Sequence, residues 1–320
     1  MKGFVWNLKS IEDFKETVRQ EYHTYTFYDP GDETEFRTKK DFLSDHEIEQ
    51  TANAYKNNRT RITKDEVSYF INEYGARGDW SIAEPKPDHI KIAVFGCSFT
   101  FGVGIGEDST WSALVQQRLK TSKPIQLINL GYSGGSISKS LKLFKYLTDV
   151  YKIDIAIFLL PTHWRDELPV YHTEISPREH PLVRFSNLIP NFNTTYLKDK
   201  WEEYYKYSTD GTRLYTAIKE ISHIKLIGES KKVETYFSSW DETLFNFVKD
   251  IELVEEKQIL PYFKFIENML GPHIADQFAR DGAHPGPLSQ EVFARDIVEH
   301  LGSVSKVEGI TRVKKTPKFI

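Results

Sequence analysis

The chain has 320 residues, 28% of them charged, and a net charge of −4, with a sequence pI of about 6.2. This balance argues against a dedicated nucleic-acid-binding protein, which would carry a basic excess. A single cysteine excludes an internal disulfide. No stretch approaches the roughly 20 apolar residues of a membrane span, and the N-terminus lacks the apolar core of a signal peptide. We therefore expect a cytoplasmic protein without a membrane span.

The N-terminal region, residues 1–88, is polar and mixed in charge, and we expect a helical extension here. The segment 28–40 is predicted to be a loop, and the paired prolines within 84–88 mark a boundary because proline interrupts regular structure. The predicted helices are 10–22, 45–56 and 63–74.

Residues 89–302 alternate between short apolar runs and amphipathic stretches, with an aromatic, polar insert at about 161–208 and a basic tail at 303–320. The predicted strands are 90–95, 125–130, 153–160 and 233–237, and the predicted helices are 109–120, 136–149, 209–230, 241–250 and 287–301. Alternating strands and helices predict a three-layer α/β/α sandwich with a mainly parallel sheet.

The first candidate for chemistry is GCSFTFG, residues 96–102, directly after the first predicted strand. A serine at a strand end exposes its hydroxyl and its N–H, which suits a nucleophile and an oxyanion donor. The alternative is a serine that turns the chain or caps a helix. Cys97 should point away toward the sheet as a buried, inert thiol. The nearby glycines lack the GK[ST] of a P-loop, which excludes that nucleotide site.

The second candidate is DGAHPG, residues 281–286, ahead of the last helix. An aspartate three residues before a histidine can orient the imidazole to accept a proton from serine. The alternative is an Asx-type turn with an incidental histidine. The third candidate is NLGYSGGS, residues 129–136, whose glycines leave N–H groups free to face an anion. The alternative there is a tight strand-to-helix turn.

In chain order, on successive strand ends, GCSFTFG, NLGYSGGS and DGAHPG resemble the first, second and last sequence blocks of the SGNH (GDSL-type) hydrolase superfamily, over about residues 90–160 and 275–301. The resemblance implies a flavodoxin-like sandwich and a catalytic triad without a cofactor. Ser98 matches the nucleophile, His284 and Asp281 match the DxxH pair, and Gly134 matches the oxyanion glycine, with the Ser98 N–H as a second donor.

Two positions depart from the family pattern. Cys97 replaces the acid of the first block, which is not the triad carboxylate. The third block, usually Gly-x-Asn-Asp, reads LPTHWRD at 160–166, and the simplest alignment places His163 where the oxyanion-donating Asn would be. Thr162 or Arg165 could also supply that donor. We further expect Trp164 and Arg165 to contact substrate.

These residues predict a serine esterase that cleaves a carboxylic ester of a small molecule or glycan. The aromatic insert favours an O-acyl or O-acetyl group on a carbohydrate, although an ordinary packed insert explains it equally well. Similar GCSFTFG chains occur in bacteria and phages, which suits polysaccharide remodelling and a phage-associated protein. The alternative is a non-catalytic module of this fold that binds glycan or a partner protein.

The ten histidines show no metal-binding spacing, so no metal is expected. The insert should form one wall of the cleft, because it leaves the third strand beside Ser98. The last part of the N-terminal region should pack away from the catalytic edge, since it enters the first strand from the opposite end. Oligomeric state is left open.

Overall fold

A computed structural model describes residues 8–23, 35–37, 68–70, 72, 74, 76–84, 86–169, 182–185, 208–264, 279 and 284–311. The helices and strands of these residues are, in chain order, α1 (Ile11–His23), β1 (Glu35–Arg37), β2 (Ser68–Phe70), β3 (Ile90–Gly96), α2 (Ser98–Phe101), α3 (Trp111–Arg118), β4 (Ile125–Gly131), α4 (Ile137–Val150), β5 (Ile155–Leu160), β6 (Asp166–Pro169), β7 (Leu182–Phe185), α5 (Asp210–Lys231), β8 (Glu234–Ser239), α6 (Glu242–Asp250) and α7 (Pro287–Val304).

A four-stranded sheet with the order β4-β3-β5-β8 forms the centre of the molecule. Every neighbouring pair in it is parallel. The chain moves to one side of β3 to form β4 and to the other side to form β5. In open α/β sheets, ligands bind at the carboxyl ends of the strands where the strand order reverses in this way. This topology therefore directs attention to the ends of β3 and β5.

Alternating residues of the buried strands send side chains to opposite faces, and each face carries its own core. On β3, for example, Ile92 and Val94 belong to one apolar cluster, and Ala93 and Phe95 belong to the other. Helices α3 and α7 cover the first face, while α1, α4 and α5 cover the second. The predicted three-layer α/β/α arrangement is confirmed.

The strand and helix predictions for the sheet region are confirmed within a few residues at each end. Two predictions for the N-terminal region are wrong. The segment 28–40 contains β1, and the predicted helix 63–74 contains β2, because these two short segments pair with each other as antiparallel strands. Such long-range pairing overrides local propensity. The predicted helix 45–56 lies outside the described residues.

The described parts of the N-terminal region are anchored in the molecule. Phe14 and Val18 of α1 are fully buried, as is Tyr74. The ring of Tyr74 stacks on that of Trp80, with centroids 4.9 Å apart. Helix α1 begins beside α4, where the Leu8 N–H donates to Asp149. These contacts make the region part of the second core rather than a separate appendage.

The insert contributes an antiparallel pair, β6 with β7, directly after the loop that follows β5. The remainder of the insert, 170–181 and 186–207, lies outside the described residues. The predicted aromatic wall of the cleft therefore stays a prediction.

Candidate active site

The candidate site is built from the chain segments that leave the carboxyl ends of neighbouring strands. Ser98 follows β3, Gly134 follows β4, the 162–165 turn follows β5, and Trp240 follows β8. Because parallel strands end at the same edge, one edge of the sheet receives all four segments.

Ser98 is the first residue of the short helix α2, with Cys97 as its N-cap in an extended conformation. The helix is closed by the carbonyl of Ser98, which accepts hydrogen bonds from the N–H groups of Gly102 at 2.8 Å and Val103 at 3.1 Å. The Ser98 residue is only 3% exposed, and no hydrogen bond of its hydroxyl is found among the described residues. The hydroxyl is therefore available for a proton-accepting partner or a substrate.

The end of β4 holds the Ser98 turn in place through close backbone packing. A Cβ atom on Gly131 would lie 2.3 Å from the Phe101 nitrogen, and one on Gly96 would lie 2.5 Å from the Leu159 carbonyl oxygen. The Tyr132 N–H donates to the Gly96 carbonyl at 2.9 Å. Only glycine permits these approaches, so the first and second sequence blocks form one packed unit.

Gly134 occupies the exposed tip of the next turn, with a φ of +72° that favours glycine. A Cβ atom there would meet no atom within 4 Å. The turn is closed by the Gly135 N–H, which donates to the Tyr132 carbonyl at 2.8 Å, and Ser136 caps α4. The open surroundings of Gly134 fit the predicted role of its N–H as an oxyanion donor, which stays a prediction.

His284 lies beside the Ser98 turn. Its ring centroid is 5.7 Å from that of Phe99, the residue after Ser98, in an edge-on arrangement. The His284 carbonyl accepts the Ala279 N–H at 2.8 Å. Helix α7, which follows, contacts α3, where the Gln290 side chain accepts a hydrogen bond from the backbone N–H of Trp111 at 2.9 Å. The structure thus brings the first and last sequence blocks together, while Asp281 lies outside the described residues.

The third block forms a tight turn, in which the Arg165 N–H donates to the Thr162 carbonyl at 3.1 Å. The Thr162 hydroxyl accepts the Trp164 N–H at 3.3 Å, so its oxygen is used within the turn. His163 is buried between two carboxylates. Its Nε2 lies 2.7 Å from Asp210 Oδ1, and its Nδ1 lies 3.4 Å from Asp241 Oδ2, a contact within ion-pair distance but without a well-formed hydrogen bond.

Both ring nitrogens of His163 face carboxylates, one at the start of α5 and one at the start of α6. His163 thus connects the loop after β5 to two helices, a contact that the sequence did not reveal. Its Nε2 is paired with Asp210, while its Nδ1 has no hydrogen-bond partner among the described residues. The expectation that His163 replaces the oxyanion-donating asparagine stays a prediction.

Two arginines, one within the turn and one in α5, each stack on an indole ring. The Arg213 guanidinium carbon lies 4.4 Å from the Trp164 ring centroid, and that of Arg165 lies 5.2 Å from the Trp240 ring centroid. Such cation–π contacts orient the cation. Trp164 therefore contacts Arg213, and the predicted contact of Trp164 and Arg165 with substrate stays a prediction.

Trp240 was missed by the sequence analysis. Its indole N–H donates to Cys97 Sγ at 3.3 Å, and its ring centroid lies 5.0 Å from that of Phe99. Cys97 is fully buried, as predicted. A signal was available, since Trp240 lies three residues after the fourth predicted strand, 233–237, and strand ends meet at one edge. Trp240 connects Arg165 to the Ser98 turn.

The Tyr262 hydroxyl donates a hydrogen bond to the Trp240 carbonyl at 3.0 Å. Burial raises the pKa of Tyr262, and the negative charges of Glu242 and Asp241 raise it further. Tyr262 is therefore a neutral hydrogen-bond donor across the physiological pH range.

Arg77 is a second residue that the sequence analysis missed. It is completely buried and donates to the carbonyls of Phe101 at 2.9 Å, Gly102 at 2.5 Å and Ile105 at 2.7 Å. It also pairs with Glu107 at 2.6 Å. The prediction that the last part of the N-terminal region packs away from the catalytic edge is wrong at this residue, because Arg77 holds the loop that follows the Ser98 helix.

Within the described ranges, no group of three or more His, Cys, Asp or Glu side chains is arranged to hold a metal ion. No helix in that part of the chain has the length and apolarity needed to cross a membrane.

No protein-family model matches the chain, and no curated protein matches it. Several solved structures are similar. A putative lipolytic protein of the G-D-S-L family from Desulfitobacterium hafniense is 15% identical, with a TM-score of 0.40, and the match covers 67% of this chain and 100% of that one. The psychrotrophic esterase EstA from Pseudoalteromonas is 11% identical, with a TM-score of 0.40, over 66% of this chain and 96% of that one.

A third similar structure is AlinE4, described as an SGNH-hydrolase family esterase. It is 15% identical with a TM-score of 0.37, and the match covers 68% of this chain and 93% of that one.

Proposed function

We propose that this protein is a serine ester hydrolase in which Ser98, His284 and Asp281 form the catalytic triad. The observation that carries the proposal is the position of Ser98. Its hydroxyl lies at a strand end where the strand order reverses, makes no hydrogen bond among the described residues, and has His284 beside the same turn. A serine–histidine pair at such a place suits acyl transfer.

In the proposed mechanism, Ser98 Oγ attacks the ester carbonyl while His284 takes the hydroxyl proton. His284 then donates this proton to the leaving alcohol, and water releases the acid from the acyl-enzyme by the same steps. Asp281 stabilises the imidazolium. The N–H groups of Ser98 and Gly134 stabilise the oxyanion, which carries charge mainly in the transition state. His163 is not assigned a donor role, because its ring nitrogens face Asp210 and Asp241.

The substrate class that we propose is an O-acyl or O-acetyl ester of a carbohydrate. Aromatic side chains at the site support this class, because indole rings provide flat apolar faces for sugar rings. Trp164 belongs to the loop that follows β5, and Trp240 stacks on Arg165 of the same loop.

The decisive experiment measures cleavage of p-nitrophenyl acetate by the wild-type chain, Ser98→Ala and His284→Ala. Each substitution should lower kcat by about 10⁴-fold or more, since triad members act as a unit. Ser230→Ala, an exposed serine at the end of α5, is the matched control and should leave the rate unchanged. Labelling by a fluorophosphonate should modify Ser98 alone. Full activity in Ser98→Ala would exclude this serine as the nucleophile.

One observation favours a second candidate, a non-catalytic module that binds glycan or protein. The third block offers no asparagine, and His163 faces carboxylates, so the oxyanion site has one donor fewer than the family pattern. Losing one such donor typically costs about 10²–10³ in kcat. If a folded wild-type chain neither cleaves p-nitrophenyl acetate nor reacts with a fluorophosphonate, the binding module becomes the better assignment.

A further inference from the structure

Two buried arginines at this edge of the sheet differ in how their charges are compensated. Arg77 is completely buried and is paired with three carbonyls and a carboxylate. Arg165 is 9% exposed, yet its Nε and Nη1 are shielded from solvent and have no hydrogen-bond partner in the described parts of the chain. Buried polar groups are nearly always hydrogen-bonded, and leaving a charged donor unpaired is costly.

The unpaired guanidinium is linked to the Ser98 turn through Trp240. Arg165 stacks on Trp240, and Trp240 also contacts the Cys97 sulfur and the Phe99 ring, which lie on either side of Ser98 in the sequence. Arg165 also belongs to the loop after β5, which is the strand beside β3 where the strand order reverses. A group bound to Arg165 would therefore lie beside an ester held at Ser98.

Two described acidic residues near this turn, Asp210 and Asp241, do not pair with Arg165. The carboxylates of Asp210 and Asp241 are directed at His163, and neither forms an ion pair with Arg165 in the structure. A second cation, Arg213, lies on the neighbouring indole of Trp164. The turn thus presents positive charge in a desolvated place, where an anion interacts more strongly than in water.

We propose that Arg165 binds an anionic group of the substrate, so that the preferred substrates are esters of acidic molecules, including acylated acidic sugars. This inference rests on the proposed function, because it assigns a substrate class to the same site. The group is a carboxylate or a phosphate, since both offer oxygens that match the planar donor fork of a guanidinium. The stacking on Trp240 holds the cation in place, and the substrate supplies the opposite charge that the described residues do not provide.

The first test is thermal unfolding of Arg165→Met and Arg77→Met. Replacing Arg77 should lower Tm strongly, because it leaves buried carbonyls and Glu107 without their partner. Replacing Arg165 should leave Tm within about 3 °C of wild type or raise it, because an unpaired buried charge is removed. A loss of Tm in Arg165→Met as large as that in Arg77→Met would overturn the proposal, since it would make Arg165 a paired structural residue.

The second test compares phenyl acetates that carry a carboxamide, a carboxylate or a phosphate at the para position. The ratio of kcat/KM for each anionic ester to that for the carboxamide should fall by about 10- to 100-fold in Arg165→Met relative to wild type. In Arg165→Lys, which keeps the charge without the planar donor fork, this ratio should lie between those of wild type and Arg165→Met. Arg118→Met, an exposed arginine of α3 paired with Glu291, is the control and should keep the wild-type ratio. The anionic ester whose ratio falls more in Arg165→Met identifies whether Arg165 prefers a carboxylate or a phosphate.

A binding measurement keeps the inference separate from the catalytic proposal. By calorimetry, p-acetamidobenzoate, which has no ester, should bind wild type at least about 10-fold more tightly than p-acetamidobenzamide, and Arg165→Met should lose this difference. Ester cleavage with equal kcat/KM ratios in wild type and Arg165→Met would overturn the inference and leave the proposed function standing. Absence of cleavage with retained anion binding through Arg165 would overturn the esterase and leave the anion site. Equal affinity of wild type for the two acetamides would overturn the anion site.

Discussion

Arg77 joins the N-terminal region to the loop that follows the Ser98 helix. Its guanidinium donates to the carbonyls of Phe101, Gly102 and Ile105, and the N–H of Gly102 in turn donates to the Ser98 carbonyl. One side chain thus fixes the backbone on which the proposed nucleophile depends. Arg77 acts through other residues, and we regard it as a positioning residue.

Arg77→Lys should destabilise the protein by about 3–5 kcal/mol, because an ammonium cannot reach the same set of acceptors and leaves buried carbonyls unpaired. Chemical denaturation measures this loss. At temperatures where the variant is folded, kcat for p-nitrophenyl acetate should fall more than KM rises, since the Ser98 turn is displaced rather than the binding surface. The exposed pair of Arg118 with Glu291 provides the comparison, and Arg118→Lys should change neither quantity. An unchanged kcat in folded Arg77→Lys would show that the loop does not position Ser98.

At the scale of single elements, β8 is fastened to the end of α7 by one carboxylate. Glu234 accepts hydrogen bonds from the Tyr236 hydroxyl at 2.8 Å, the Ser305 hydroxyl at 2.6 Å and the Lys306 N–H at 2.7 Å. Burial raises the pKa of Tyr236 well above its usual value, and the hydrogen bond and negative charge of Glu234 raise it further. The folded state therefore favours the protonated phenol.

This shift predicts an alkaline loss of stability. The contribution of Tyr236 is fully present below the unfolded-state pKa of about 10 and decreases as pH rises above it, because only the unfolded state releases the proton there. In Tyr236→Phe, the free energy of unfolding should decline less steeply between about pH 10 and 11 than in wild type. Tyr215→Phe, at a tyrosine that is 63% exposed, should retain the wild-type slope. Identical slopes in Tyr236→Phe and wild type would contradict the assignment.

The elements that could be predicted from the sequence are those with strong local patterns. The run 153–160 is almost wholly apolar and forms β5, and the stripe of 287–301 forms α7. The strands β1 and β2 could not be predicted, because their three-residue pairing depends on contacts between distant segments.

In the site, too, residues with a strong local pattern could be predicted, and those whose role depends on distant contacts could not. Ser98 and His284 stand in recognisable blocks, and the structure brings His284 to the Ser98 turn. The partners of His163 come from α5 and α6, and those of Arg77 come from a loop. Nothing in the local sequence indicates which carboxylate or carbonyl a buried polar side chain will find.

For the whole molecule, the described N-terminal region completes the second of the two cores. Phe14 of α1 is fully buried, and its ring lies 5.7 Å from that of Tyr74. Helix α1 packs against α4, which in turn covers the sheet. Without this region, apolar surface of α4 would be exposed to water at a cost that scales with its area.

Phe14→Ala should therefore lower the free energy of unfolding by about 3–5 kcal/mol, the usual cost of removing a buried aromatic ring. Equilibrium unfolding in guanidinium chloride measures the change, and KM for p-nitrophenyl acetate should be unaffected because the described contacts of α1 are with α4 and Tyr74. Leu226→Ala, on a leucine that is 59% exposed, should cost less than about 0.5 kcal/mol. A similar small cost for Phe14→Ala would show that α1 is not part of the core.

The contact of Gly131 with the Ser98 helix also limits how this protein can evolve. The space for a methyl group at position 131 is already taken by the backbone of Phe101 and Thr100, so no change of neighbouring side chains can make room for one. Mutational libraries that aim to alter specificity should keep glycine at positions 96 and 131. Variation is better directed at Gly134, whose Cβ would meet open space at the cost of its left-handed backbone, and at the loop after β5. The accessible evolutionary paths to new substrates thus run through the turns after β4 and β5, the strands on either side of β3.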